Sequence, residues 1–457
     1  MSIVSYSSQK KLHIFLLVIG LFILSTALAA FFLLFEGEQP TISLETTGKY
    51  LGKKGIVELK VNDGKSGLRD ISVVALQGQL SKELYAVSFP RAASTGQIGP
   101  AQARESIIFD SKQHGLIDGP MTLRVTAHDY SLRGWLRGNS AVLEQELIVD
   151  TAPPQLSVLH SEQYITPGGT GIAVYRLGEE HCRSGVTVNG RFHPGFLLGD
   201  GRQDVYIAYF ALPYDAEAID QTMVSAVDPA GNETVVPFST KYQKIAKKTD
   251  TIAISDSFLA TKIPEFRLHY PEMTGDLLAQ YLYTNTTIRD QNNKRISELC
   301  RTPWPERLWQ GAFARMPGSP RAGFADYRNY TYNGEVIDNQ VHLGVDIAST
   351  KKAEVRAANR GKVIFAEYLG IYGNMVMLDH GQGVFSLYSH LSDIFTEVGA
   401  MVEKTTVLGT TGTTGMAGGD HLHFSMLING VFAMPKEWWD PHWIEVTIEG
   451  PLAQSRK

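Results

Sequence analysis

His342-Leu343-Gly344-Val345-Asp346, Tyr388-Ser389-His390-Leu391 and His421-Leu422-His423-Phe424 fall within one stretch near the end of the chain, Val341 to Phe424. Those three short apolar segments together hold four histidines and one carboxylate. Read as a strand, Val341–Ile347 puts His342, Gly344 and Asp346 on one face and Val341, Leu343, Val345 and Ile347 on the other. Gly344, with no side chain, leaves open space between them for a metal and its substrate. Gly344 and two valines also disfavour a helix here. The same parity puts His421 and His423 on one face and turns Leu422 and Phe424 to the core, next to a glycine-rich loop (Gly412, Gly415, Gly418, Gly419). Between these segments lies a hairpin signature. Asn374–Asp379 runs into the turn His380-Gly381-Gln382-Gly383, and Val384–His390 returns, delivering Tyr388 and His390 to one face.

A catalytic zinc takes three nitrogen or oxygen ligands and keeps one position for water. His, Asp and His supply that set without cysteine, and two imidazoles remain for proton transfer and oxyanion stabilisation. Zinc lowers the pKa of bound water to about 7. His380, in the turn, and His442, in Trp438-Trp439-Asp440-Pro441-His442-Trp443, are read as structural.

The rest of the chain anchors and positions this stretch. Its 457 residues exceed one ordinary core, so two to four domains are expected. Apolar content of 43% with 19% charged residues is globular, not disordered. A net charge of -5 with no long basic run argues against nucleic acid as a partner. Cys182 and Cys300 lie in no Cys-x-x-Cys pair, which excludes a thiolate zinc site; they are either two buried thiols or one disulfide.

Lys10-Lys11 precede an apolar run from Leu12 to Phe35 that is long enough to span a bilayer. Ala27-Leu28-Ala29 imitates a cleavage site, but the greasy Ala30–Phe35 follows, so an uncleaved anchor is expected. The lysines place residues 1–11 in the cytoplasm, with 12–36 as the transmembrane anchor and everything beyond outside the inner membrane. Thr41 to Ser239 reads as all-β, with alternating runs such as Ile56–Val61 between Gly, Asn and Asp turns. Leu123–Asp129 is echoed by Met223–Asp228, and Val149–Pro154 is a stiff junction. Residues 37–150 and 151–241 are therefore expected to form two Ig-like β-sandwich domains, similar to bacterial Ig-like repeats. They are read as spacers, with binding of a wall polymer or partner protein as the other reading. Residues 242–315 form a partly helical linker: Leu277, Leu278, Tyr281 and Leu282 follow Thr274 as N-cap, and Ile288, Ile296 and Leu299 mark a second helix. This apolar stripe packs on a neighbouring domain or shields the site. Residues 316–449 carry the metal stretch, and 450–457 form a tail.

Asn359-Arg360-Gly361-Lys362-Val363, Tyr372-Gly373-Asn374 and Thr411-Gly412-Thr413-Thr414-Gly415 accompany the H-x-x-x-D and H-x-H motifs. With them, about the last quarter of the chain resembles the lysostaphin and LytM-type zinc endopeptidases, which cut peptidoglycan cross-links. The resemblance implies a small antiparallel β-sheet domain with its site in a groove. It implies one zinc ion held by His342, Asp346 and His423, with His390 and His421 as the catalytic histidines. Phe324-Ala325-Asp326-Tyr327-Arg328 is similar to the family's F-G-x-R edge, with Ala325 in place of Gly. Two departures stand out. Asp420 replaces a frequent Pro and is expected to favour protonated His421 or to contact substrate, and Ser425 replaces a frequent Glu. Since all five site residues are kept, the expectation is a mostly β, membrane-anchored zinc metalloendopeptidase. It would face the periplasm and hydrolyse peptide bonds in peptidoglycan cross-links or stem peptides, with a cell-envelope protein as a further partner. The alternative is a non-catalytic regulator or activator of other wall hydrolases that binds through the groove and the Ig-like domains.

Overall fold

The computed structural model describes residues 4–34, 37–46, 48–93, 96–131, 133 and 137–455. Phe35 and Glu36, where the apolar run is expected to end, and the outermost residues of both expected tails lie outside the described residues. The protein is mostly β, with an N-terminal apolar helix, a short helical region and a C-terminal β-sheet domain. It forms two compact units, one of residues up to Pro153 with Asp228–Asn232, the other of Pro154–Val227 with Glu233 onward.

The N-terminal helix is Val4–Leu34, and its segment Lys10–Phe31, 22 residues, is long and apolar enough to cross a membrane. At 1.5 Å per residue that segment measures about 33 Å, against a hydrocarbon core of about 30 Å. In the first unit, Thr41–Glu45, Lys54–Asn62 and Gln102–Asp110 form a three-stranded sheet. Five further strands, Tyr50–Leu51, Ser140–Val149, Gly119–Asp129, Leu68–Gln77 and Leu80–Ser88, form a second sheet. Val57, Leu59, Val61, Ile71, Val73, Leu123 and Val125 meet in one core, as the alternation in these strands predicts.

The second unit does not follow the spacer expectation. Its strands Thr170–Leu177 and Val205–Ala211 are buried on both faces. Ala173, Tyr175, Ala208 and Phe210 fill the β-sandwich interior, while Ile172, Val174, Ile207 and Tyr209 join Trp309, Phe313, Val384, Phe424 and Trp438 in another core. The Pro154–Val227 segment is thus packed against the C-terminal sheet. Leu452, in the expected tail, is buried in the same cluster.

The helical region is also built in. Ser255 caps Asp256–His269 by accepting from the Phe258 N–H (3.2 Å). Leu277–Tyr283 is capped by Asp276, not by Thr274 as the sequence suggests, because the Asp276 carboxylate accepts from the Ala279 N–H (2.8 Å). That helix continues through a π turn, Thr284–Ile288, into Arg289–Leu299. Leu259, Ile263, Phe266, Tyr281, Ile288 and Ile296 form one core with Phe365, Met375, Met377, Phe385 and Leu387 of the C-terminal sheet.

That sheet has ten strands, and its path runs Ser319–Ala322, Val345–Ala348, Leu422–Ile428, Val384–Ile394, Asn374–Asp379, Gly361–Tyr368, Met401–Val402. The pairings along it are antiparallel. The hairpin of Asn374–Asp379 with Val384–Ile394 forms where the sequence predicts it, with left-handed backbone at Gly381, Gln382 and Gly383 (φ 87°, 54° and 82°) closing the turn.

Candidate metal centre

His342 and Asp346 do not share one strand. Glu335–His342 ends at His342, which pairs with Asp326; after Leu343-Gly344 the chain enters Val345–Ala348 in a different sheet. The two side chains converge because the chain passes between sheets at that point. Gly344 serves a purpose other than the open space expected of it. A Cβ there would lie 2.5 Å from His423 Nε2 and 2.6 Å from Ser425 Oγ, so the missing side chain makes room for the His423 ring. Parity does hold in the last motif. His423 pairs with Asp346 across the sheet, His421 stands two residues earlier in a bridge to Gly412, and Leu422 and Phe424 are buried behind them.

Three atoms meet in this place. His342 Nε2 lies 2.9 Å from Asp346 Oδ1 and 2.9 Å from His423 Nδ1, and His423 Nδ1 is 3.0 Å from the same carboxylate oxygen. The far side of each ring fixes its tautomer. His342 Nδ1–H donates to the Gly323 carbonyl (2.7 Å). His423 Nε2–H donates to Ser425 Oγ (3.1 Å), whose own proton goes to the Leu343 carbonyl (2.7 Å). In the neutral rings the inward nitrogens therefore carry lone pairs, so two imidazole acceptors and a carboxylate oxygen face one another. A divalent cation satisfies such a set, and the donor types suit zinc. The orienting hydrogen bonds are those that metal-ligating histidines ordinarily make.

Asp346 is almost enclosed. Burial opposes its ionisation, but the surrounding imidazoles, His342 first and then His421 and His423, hold its carboxyl well below the ordinary range. Arg328 Nη2 donates to its other oxygen, Oδ2 (3.3 Å). Burial pushes His423 down to about 4, which keeps the ring neutral.

The two remaining histidines stand beside this cluster. His390 and His421 have ring centroids 4.8 Å apart, and His421 Nε2 is 3.5 Å from Asp346 Oδ1. His390 Nδ1 donates to the Thr414 carbonyl (2.8 Å) and His421 Nδ1 to the Gly419 carbonyl (2.7 Å), so both rings are oriented by loop backbone. Burial drives the His390 pKa well down. For His421 burial acts the same way, but the hydrogen bond and charge of Asp346 outweigh it and the net shift is upward.

Tyr388 does not share the cleft with His390. Its hydroxyl is buried, bonded to the Ala358 N–H (2.8 Å) and Ser386 Oγ (3.0 Å). His390 has φ 63°, and this left-handed residue, next to a register shift after Leu391, re-aims the imidazole away from the strand's alternation. Asp420 likewise turns from His421. It accepts from Thr411 Oγ1 (2.6 Å) and the Lys352 N–H (3.1 Å), closing the loop before the last motif. His380 is a structural histidine as expected, fully buried between the Arg360 carbonyl (2.6 Å) and Ser386 Oγ (2.7 Å).

His342, Asp346, His390, His421 and His423 line a cleft of about 470 Å³. The opposite wall comes from the helical region and the preceding strand: Ile252, Ile254, Phe258, Tyr281, Arg289 and Asn293. The same helices fasten the site's loops. Lys262 Nζ donates to the Thr413 carbonyl, Glu265 accepts from the Gly415 N–H, and Asn292 accepts from the Ile371 N–H (2.9 Å).

The profile of peptidase family M23 matches residues 340–435. The chain carries an M23 peptidase domain. The match runs from just before His342 to just after Ala433, so the M23 domain contains all five residues of the cluster. A DD-carboxypeptidase/endopeptidase, Mpg, of Neisseria meningitidis is 41% identical over 91 residues, 20% of this chain and 21% of that protein. The peptidoglycan DD-endopeptidase ShyC of Vibrio cholerae is 30% identical over 152 residues, 33% of this chain and 32% of that protein. The murein hydrolase activator EnvC of Escherichia coli is 30% identical over 125 residues, 26% of this chain and 30% of that protein. The chain thus spans between a fifth and a third of the length of these relatives.

Sequence reasoning missed Gly323 and the roles of Thr414 and Gly419, all of which act through backbone carbonyls. Arg328 was noted only as part of the resemblance, and Ser425 only as a departure from it.

Proposed function

We propose that this protein is a membrane-anchored zinc metalloendopeptidase that hydrolyses peptide bonds in peptidoglycan cross-links or stem peptides. The observation that carries the proposal is the convergence of two tautomer-fixed imidazole acceptors and one ionised carboxylate beside two further histidines in an open cleft. His342, Asp346 and His423 would hold one zinc ion, which when bound supplies Lewis acidity and an acidified water. His390 and His421 then accept or donate protons at the scissile amide and hydrogen-bond its oxygen as charge develops there. Their Nδ1–H groups are tied to carbonyls, so Nε2 is the working atom of each. Arg328 steadies Asp346 through its second carboxylate oxygen. The two relatives named as peptidoglycan or DD-endopeptidases support the choice of substrate.

The exposed apolar side chains along the N-terminal helix support a single-pass anchor in the inner membrane, with the M23 domain on the periplasmic side. The two β-rich segments are assigned as Ig-like domains, the second serving as a packed base for the M23 domain.

Similarity to a murein hydrolase activator favours one other reading, a regulator that binds a wall hydrolase without turnover. Zinc analysis with digestion of purified peptidoglycan separates the two. The hydrolase reading expects one zinc per chain, lost in Asp346→Ala. It expects His390→Ala and His421→Ala to keep zinc and lose about 10²–10⁴-fold in rate. A zinc-loaded protein that releases no muropeptides supports the regulator instead.

A further inference from the structure

The helical wall of the cleft carries a charge that the metal site does not use. Two arginines line the cleft, Arg289 and Arg328. Arg328 is paired with Asp346. Arg289, among the described residues, is held by Asn285 alone: its Nε donates to the Asn285 carbonyl (3.0 Å) and its Nη2 to Asn285 Oδ1. Asn285 is fully buried and is itself tied down, since its Nδ2 donates to Asp338 Oδ2 (2.6 Å), which also accepts from Gln340 Nε2 (3.0 Å). The guanidinium is thus fixed in place, yet most of its five N–H donors stay uncommitted and, among the described residues, no carboxylate pairs with it.

We propose that Arg289 is the anchor of a carboxylate subsite, which receives a free carboxylate of the substrate peptide near the scissile bond. The inference rests on the peptidoglycan-hydrolase reading above and names the group that this site selects. Three observations support it. The π turn Thr284–Ile288 comes immediately before Arg289, and such turns concentrate where a helix re-aims a side chain for function. A half-buried arginine without a counter-ion is costly, and a carboxylate matches its planar fork through two parallel hydrogen bonds. The spacing also fits. Asn293, four residues on and on the same helix face, accepts from the Tyr372 hydroxyl (2.8 Å), and the Tyr372 ring centroid lies 5.8 Å from that of His423. Arg289 stands four residues earlier in that helix, about 6 Å along its axis, which is about two residues of an extended peptide.

Peptide stems offer such a carboxylate from two sources, a C-terminal residue or the unlinked carboxyl of a diamino acid. The test uses the full chain and cross-linked muropeptide dimers in three forms: both carboxylates free, only the terminal one amidated, and only the diamino-acid one amidated. The zinc-loaded wild type should lose at least tenfold in kcat/KM on one of the amides, chiefly through KM, and that amide identifies the source. Arg289→Gln should cleave all three forms alike, and Arg289→Lys should keep part of the discrimination. Calorimetric binding of the same dimers to the zinc-free chain gives a readout without turnover. Cleavage with indifference to both amidations, or discrimination that survives in Arg289→Gln, would overturn the subsite and leave the hydrolase reading intact. Discriminating binding without cleavage would do the reverse. Binding that shows no discrimination, or no binding at all, also counts against the subsite. If Arg289→Gln fails to fold, the response of the wild type to amidation still decides.

Discussion

Ser425→Ala removes one oxygen from the interior and should loosen the metal. Ser425 is fully buried. It accepts from His423 Nε2 (3.1 Å) and donates to the Leu343 carbonyl (2.7 Å), linking the ring to the backbone that precedes Gly344. The alanine variant leaves one buried N–H and one buried carbonyl short of a partner, each worth about 1–3 kcal/mol of stability. His423 also loses the bond that fixes its tautomer. Outer-shell losses of this kind typically weaken metal binding about 10–100-fold, or about 1.4–2.7 kcal/mol. Competition of the full-length protein with a chromophoric chelator reads the zinc affinity, and melting of the zinc-free protein reads the packing cost separately. Zinc affinity within twofold of wild type, with a lowered zinc-free melting temperature, would refute the orienting role and leave Ser425 as a packing residue.

A chain starting near Met316 should be unstable and slower on peptidoglycan than one starting near Tyr242, because it lacks Phe266, Tyr281 and Ile288 from a shared core; faster digestion by a well-folded short chain would instead mark the helices as a restraint. Ala325 has φ 60° where the resembling family carries glycine, so Ala325→Gly should stabilise by up to about 1 kcal/mol, and denaturant unfolding that shows a loss would count against this. Burial outweighs the hydrogen bonds from Thr170 and raises Glu437 from 4.5 to about 8. Its contribution is therefore complete below the unfolded value and is lost as pH rises through the folded one. Melting temperatures of Glu437→Gln should fall less than those of wild type between pH 5 and 8 on that account; parallel curves would contradict it.

The five residues of the candidate site were legible because histidine and aspartate in short apolar strands are themselves chemical signals. What orients them was not, since the carbonyls of Gly323, Thr414 and Gly419 leave no trace in residue type. Strand parity located His423 correctly, but it failed at His390, where a left-handed residue breaks the alternation. It also brought His342 and Asp346 together for the wrong reason, because the chain changes sheets at Leu343-Gly344. The packing of the second β segment was readable in principle: Ile172–Tyr175 and Val205–Ala211 are nearly continuous apolar runs, the mark of strands covered on both faces. Helix Asp256–His269 escaped notice because Lys262, Pro264, Glu265 and Arg267 interrupt its apolar spacing, and Lys262 and Glu265 face the site's loops.

Mass spectrometry of muropeptides, after purified peptidoglycan is incubated with the zinc-loaded full-length protein, tests the proposed endopeptidase activity. That activity should leave new amino and carboxyl termini at one peptide bond of the cross-links or stems, with glycan strands intact, and none of these products should come from Asp346→Ala. Peptidoglycan left unchanged by a protein that binds a full equivalent of zinc, or cut only in its glycan, would contradict it.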